Sequence, residues 1–167
     1  MSLEKSEKAL ASMDLEKVFR RVFPRYLRHY KASVQQDRAG TDYYVVTETV
    51  TVQVDMKVLS RDPGWKSGWS SCLPIELWSV KDRWICGYDG NADFVLWVYR
   101  DSNRVVLARR KELRDYVNLR RLEWMFFLKE YESQTRSWNG TIYTSSFVWL
   151  PFFVVAKQGF FYQYKVA

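Results

Sequence analysis

Between Val50 and Val58 the chain alternates without a break: Val50, Val52, Val54, Met56 and Val58 on one side, Thr49, Thr51, Gln53, Asp55 and Lys57 on the other. A period of two over that length predicts a half-buried strand, with an apolar face for a core. Its other face carries an acid and a lysine about 6–7 Å apart. Tyr43 to Val46 is also β-forming, and Thr47-Glu48-Thr49 is short enough to close a hairpin. Upstream, Leu15, Val18, Phe19, Val22 and Phe23 recur at helical spacing behind a cap at Ser12 or Asp14, and Pro24 stops the helix. Residues 60–71 read as a loop from their Pro, Gly and Ser content. Ile75 to Val80 predicts a third strand that turns Glu76 and Trp78 to one face.

Further on, Ala92 to Tyr99 is nearly all apolar, which predicts a strand buried on both faces. Arg104 to Ala108 returns beside it after the turn Asp101-Ser102-Asn103. Arg109 to Glu132 is rich in helix formers, with apolar positions at Leu113, Tyr116, Val117, Leu119, Leu122, Met125 and Phe126. It predicts one bent helix or two, followed by a loop over 133–140. Residues 142–155 are β-like, interrupted at Pro151. This order of elements predicts an α/β fold with a central mixed β-sheet flanked by helices.

Composition narrows the field. At 167 residues, 1–167 forms one domain with room for a full core, and the polar segment 1–12 is expected to fray. No run of about 18 apolar residues is present, so no membrane span is expected. The N-terminus has no apolar stretch of the secretory kind. Cys72 and Cys86 are too few and too far apart for a disulfide framework or a C-x-x-C site, which predicts reduced thiols in a cytoplasmic or otherwise intracellular protein. His29 is the single histidine, which excludes zinc sites built from several histidines. A net charge of +7 and a pI near 9.4 suit a polyanionic partner.

The chemistry gathers at the hairpin. Closing it brings Asp42, at the start of the first strand, beside Asp55, with Lys57 two residues on. Paired carboxylates suit a hard cation such as magnesium, which completes its shell with water and phosphate. Lysine can orient a water or offset charge developing at phosphorus. The plainer reading makes Asp55 and Lys57 a solvated strand face with one weak ion pair. Glu76 falls where it can stand beside Lys57 as an accessory acid, or bridge across strands to Lys57 or Lys81.

An acid, a short hairpin, then acid-x-lysine on the second strand resembles the PD-(D/E)XK nuclease superfamily, whose fold is restriction-endonuclease-like. The matching residues are Gly40-Thr41-Asp42 and Asp55-Met56-Lys57, preceded by a helix and followed by Pro74 to Ser79 and Ala92 to Leu96. Thr41 stands where the signature has proline, and Asp55 where glutamate is commoner. The resemblance implies a nuclease dependent on Mg2+, with Mn2+ as substitute, that hydrolyses phosphodiester bonds, in DNA rather than RNA. It assigns metal binding to Asp42, Asp55 and the Met56 backbone carbonyl, and water orientation to Lys57. It offers Glu16 as a third acid from the upstream helix and Gln35 as a supporting amide. Enzymes of this kind often act as homodimers, so that both strands are cut.

Nucleic-acid contacts are expected from Arg20 and Arg21 on the helix, from Arg25, Arg28 and Lys31 interleaved with aromatics, and from Arg38. Arg61, Trp65 and Lys66 sit in a loop that can act as a substrate flap. Each has a structural alternative, a solvated basic strand for 25–31 and tryptophans folded onto the core for the loop. The competing functional class is a catalytically silent nucleic-acid-binding or assembly subunit that retains the nuclease fold. A third is a basic domain that binds an acidic protein.

Overall fold

The computed structural model describes residues 13–61, 72–83, 85–136 and 140–166. Helix α1 (Leu15–Val22) is capped by Asp14, whose carboxylate accepts from the Lys17 N–H at 3.0 Å. The edge strand β1 (Tyr26–Lys31) and the short helix α2 (Val34–Arg38) follow. A capping box at Ser33 and Gln36 starts α2, which leads into Asp42. Strands β2 (Tyr43–Thr47) and β3 (Thr51–Leu59) form the predicted hairpin.

β4 (Cys72–Val80) and the two-residue β5 (Ile85–Cys86) come next, then β6 (Phe94–Tyr99) and β7 (Arg104–Arg109). Helix α3 (Arg110–Phe127) leads to β8 (Glu130–Arg136) and β9 (Ile142–Pro151). Helix α4 (Phe152–Val155) and β10 (Phe161–Lys165) close the chain. The main sheet is mixed, in the order β1-β2-β3-β6-β7-β10, with only the β3–β6 pair parallel. A second, antiparallel sheet runs β5-β4-β9-β8. The chain is therefore α/β, with a mixed six-stranded sheet, a second sheet and helices.

Alternation along β6 divides the interior in two. Leu96 and Val98 face a core with Val18, Phe19 and Val22 of α1 and with Val54, Met56 and Val58 of β3. Val95, Trp97 and Tyr99 face the other core, made by Leu113 and Val117 of α3 and Leu73, Ile75 and Val148 of the second sheet. The main sheet is thus covered on both sides, and the face of β3 that bears Asp55 looks into the gap between the sheets. Burial of Asp55 there speaks against the plainer reading of a solvated strand face with one weak ion pair.

Three sequence-based expectations change in the C-terminal third. Residues 130–136 are strand, not helix and loop, because β8 pairs with β9 from Glu130↔Val148 to Arg136↔Ile142. A polar edge strand looks like a loop until its ladder partner is known. Pro151 ends β9 instead of interrupting a strand, and 152–155 is helical although rich in Phe and Val. Burying Val155 completely in the larger core decides that local conformation over β-propensity. No helix among the described residues is long and apolar enough to cross a membrane.

Candidate active site

The hairpin register sets the site. Tyr43 pairs with Val54, and the Asp42 N–H donates to the Val54 carbonyl at 2.9 Å, so Asp42 stands opposite Asp55 at the open end of β2. The chain reaches that point through Gly40, at φ +85°, where a Cβ would come within 3.0 Å of the Gly90 Cα. Thr41, fully buried, anchors the turn with its hydroxyl on Gln53 Oε1 at 3.0 Å. Beyond Val54, β3 runs past the end of β2. There the Asp42 carboxylate takes over the ladder's role, with Oδ2 accepting from the Met56 N–H at 2.6 Å. Carbonyls of Gln53 and Leu59 accept from the segment containing β6, whereas that of Val54 accepts from the β2 side. Strand alternation therefore turns the Met56 carbonyl toward Asp42 as well.

Asp55 is 4% exposed and held from both sides. Lys57 Nζ lies 2.9 Å from Oδ1, and Arg110 Nη2 donates to Oδ2. Arg110, itself 3% exposed, also donates through Nη1 to the Tyr88 carbonyl at 3.1 Å. Glu76 Oε2 stands 3.9 Å from Lys57 Nζ, so the acid beside Lys57 is there, in an ion pair and not a tight hydrogen bond. Behind these groups a cavity of about 260 Å³ opens between the sheets, walled by Ile75, Tyr88, Val95, Trp97 and Phe147.

Burial and charge set the protonation of the cluster. Burial is the main force pushing the Asp42 carboxyl up to about 7; the Asp55 charge adds to it, while Lys57 and the Met56 N–H oppose it. For Asp55 burial acts upward too, but Lys57 and Arg110 outweigh it and hold the carboxyl below its ordinary value. Burial would lower Lys57, yet the charges of Asp55, Glu76 and Asp42 raise it, so the amine stays an ammonium. Glu76 is raised, chiefly by burial and against the pull of Lys57. One acid is thus firmly ionised and its neighbour titrates near neutrality, the separation that paired carboxyls acquire in a shared site.

The donor set fits a hard cation in number and kind: two carboxylates and a backbone carbonyl, all oxygen. The rise of Asp42 comes chiefly from burial and then from the Asp55 charge, so a cation beside Asp42 would favour its ionised form. Among the described residues no cluster of three or more Asp, Glu, His or Cys side chains has metal-holding geometry, so water and substrate phosphate would complete the shell.

The other predicted residues divide by position. Glu16 does not join the site: α1 packs on the opposite face of the sheet, and Glu16 pairs there with Arg20 at 2.7 Å. The helix stripe that buries Val18, Phe19 and Val22 necessarily turns Glu16 to solvent. Arg20 and Arg21 are likewise a sheet's thickness from Asp55, Arg20 over the Tyr26 ring and Arg21 donating to the Lys165 carbonyl. Arg25 lies 3.8 Å from Glu48 at the hairpin's far end. Lys31, opposite Tyr43, is exposed close to Asp42, with Arg28 further along the same edge strand. Arg38 and Gln35 are exposed on α2, and Arg61 is exposed just past β3. Gln35 is not among the residues lining the cavity. Trp65 and Lys66 lie outside the described residues.

Arg110 was missed. Its signal is a cation as first residue of a long helix, where the helix dipole disfavours it unless an anion is held against it.

Gly87 offers a test of the packing around Glu76. A Cβ at position 87 would come 2.3 Å from Glu76 Cγ and 2.8 Å from its Cβ. Gly87→Ala is therefore expected to lower stability by about 1–3 kcal/mol, with Glu76→Ala in the same chain recovering part of the loss. Additive denaturation midpoints for the pair would show that the two residues do not touch.

Comparison with protein-family models, curated proteins and solved structures found no match for this chain.

Proposed function

We propose that the protein is a magnesium-dependent nuclease with a restriction-endonuclease-like fold, hydrolysing phosphodiester bonds in DNA. One observation carries the reading: Asp42 stands opposite Asp55 across the hairpin end, the Met56 carbonyl turns the same way, and Lys57 Nζ is 2.9 Å from Asp55. Asp42, Asp55 and the Met56 carbonyl would hold the ion, with manganese as a substitute. Bound there, it lowers the pKa of a water and offsets charge on a phosphoryl oxygen. Lys57 keeps its proton, so its part is to orient the attacking water and stabilise charge at phosphorus, not to act as a base. Arg110 and Lys57 fix the Asp55 carboxylate, which spares reorganisation during the reaction. Arg28, exposed opposite Val46 on the face of the sheet that bears Asp42, is the β1 cation on the side of the site, whereas Lys31, opposite the buried Tyr43, projects from the α1 face.

The test is supercoiled plasmid, linear duplex and single strands incubated with the protein, with and without magnesium. Cleavage is expected with magnesium or manganese and none with EDTA; cutting that resists EDTA removes the metal from the scheme. Lys57→Ala is expected to reduce cleavage by about 100-fold or more, the effect of losing one electrostatic stabiliser, and to lower the melting temperature as well, because it leaves the buried Asp55 carboxylate with Arg110 alone. DNA affinity is expected to fall with salt by about 0.9 log units per log unit for each phosphate neutralised.

A second reading is favoured by one feature. Both oxygens of Asp55 already face a cation, Lys57 on one and Arg110 on the other. A subunit that keeps the fold and binds nucleic acid without cutting it would have such a neutralised acid. Salt-sensitive binding without cleavage in any substrate form selects that reading.

A further inference from the structure

The last turns of α3 carry an apolar stripe that no described residue covers. Leu119 is 77% exposed, Leu122 75%, Phe126 84% and Phe127 76%. Leu119, Leu122 and Phe126 are spaced i, i+3, i+7, so they share one face, while Leu113, Val117 and Trp124 bury the opposite one. An aromatic side chain covers about 150–250 Å², so Phe126 with Leu119 and Leu122 reaches the few hundred Å² that a monomer's largest apolar patch usually shows. Met125 and Phe127 lie about a quarter-turn to either side of the stripe, so the contact it offers is smaller than the roughly 800 Å² per partner of a standard interface and its occupancy depends on protein concentration.

We propose that this stripe is a homodimer contact in which α3 packs antiparallel against α3 of a second copy. A two-fold axis makes a single stripe complementary to itself: with Leu122 at the axis, Leu119 of one copy meets Phe126 of the other, and the contact closes. The end charges choose the direction. Asp115 is exposed one turn before Leu119, and Lys129 is exposed just past the helix end. Parallel packing would set like charges against each other, whereas antiparallel packing sets Asp115 against Lys129. On the flank, Arg120 is neutralised by Glu123 at 2.6 Å, so the surface does not call for a strongly charged partner. The inference rests on α3 alone and not on the nuclease reading.

Sedimentation and light scattering on the full chain decide it. The expected mass is twice the 20.0 kDa of the chain. Leu122→Glu, at an exposed position, is expected to weaken dimerisation on the order of 100-fold, as for loss of a hot-spot contact, with an unchanged melting curve for the monomer. Asp115→Lys should weaken it about 10-fold, and adding Lys129→Asp should restore it. Should Leu122→Glu fold poorly, Leu122→Cys replaces it: mild oxidation should link two copies that the unmodified protein leaves unlinked. A monomeric wild type, a dimer indifferent to Leu122→Glu, or a charge swap that fails to restore association would each overturn the proposal.

Discussion

Asp55→Ala is expected to lose about 3–5 kcal/mol of stability together with all cleavage, because it leaves Arg110 charged inside the protein with no anion. The two cations on Asp55 respond differently. Lys57 is 40% exposed and can turn to water, but Arg110 is 3% exposed and cannot shed its proton. Removing Asp55 also relieves the repulsion on Asp42, which offsets part of the loss. That gain is smaller, since the Asp55 charge is second to burial among the forces on Asp42. The net loss is on the order of a fifth or more of the roughly 5–15 kcal/mol that holds a domain together.

A simple ligand substitution would have left the fold intact, and urea titration separates the two cases. Replacing both partners, Asp55→Leu with Arg110→Met, should recover much of the stability without any cleavage, as apolar exchange of a buried ion pair commonly does. An Asp55→Ala protein that melts like the wild type would show that Asp55 and Arg110 do not form a buried pair in solution.

Asp42→Asn is expected to do the reverse: abolish metal binding and cleavage while raising stability in EDTA at alkaline pH. The folded protein keeps the Asp42 proton up to about pH 7, whereas the unfolded chain loses it in the ordinary carboxylate range. Across that interval the native state binds more protons, so its stability falls as pH rises, by as much as about 1.4 kcal/mol per pH unit, and levels off above 7. Asparagine has no charge to bury, and its amide oxygen can still accept from the Met56 N–H. The variant's melting temperature should therefore exceed the wild type's by a margin that grows from pH 5 to pH 8. Magnesium should raise the wild type alone at pH 8, which narrows the gap by mass action. A margin that stays constant with pH would mean that Asp42 ionises like any surface carboxylate.

The two acids thus have opposite roles in stability: Asp55 is held ionised by two cations, and Asp42 is an anion poorly compensated in the metal-free protein. A fold that tolerates such a group beside a cavity is giving up stability where a ligand's charge can return it.

Much of this was legible in the chain itself. The alternation from Val50 to Val58, with a three-residue turn before it, determined the hairpin and placed Asp42 against Asp55, because period and loop length leave little choice of register. The apolar run 94–99 determined a strand covered on both faces, and the spacing in 15–22 determined an amphipathic helix. Glu76 stands beside Lys57, but at a point where the β4 register shifts between Glu76 and Trp78. Leu77 and Trp78 are both buried there, so alternation alone does not set its direction.

Tertiary structure decided the rest. Which side of the sheet α1 covers cannot be read from its own periodicity. Glu16, a third acid only by the resemblance and equally a surface residue of a first helical turn, could be placed on the far face only by the fold. The strand at 130–136 and the helix at 152–155 depend on pairing with β9 and on burial of Val155, contacts made across long stretches of chain. Above all, Arg110 is 55 residues from Asp55 in sequence. Local patterns set which face of an element is apolar; only packing sets which charge is left inside and what neutralises it.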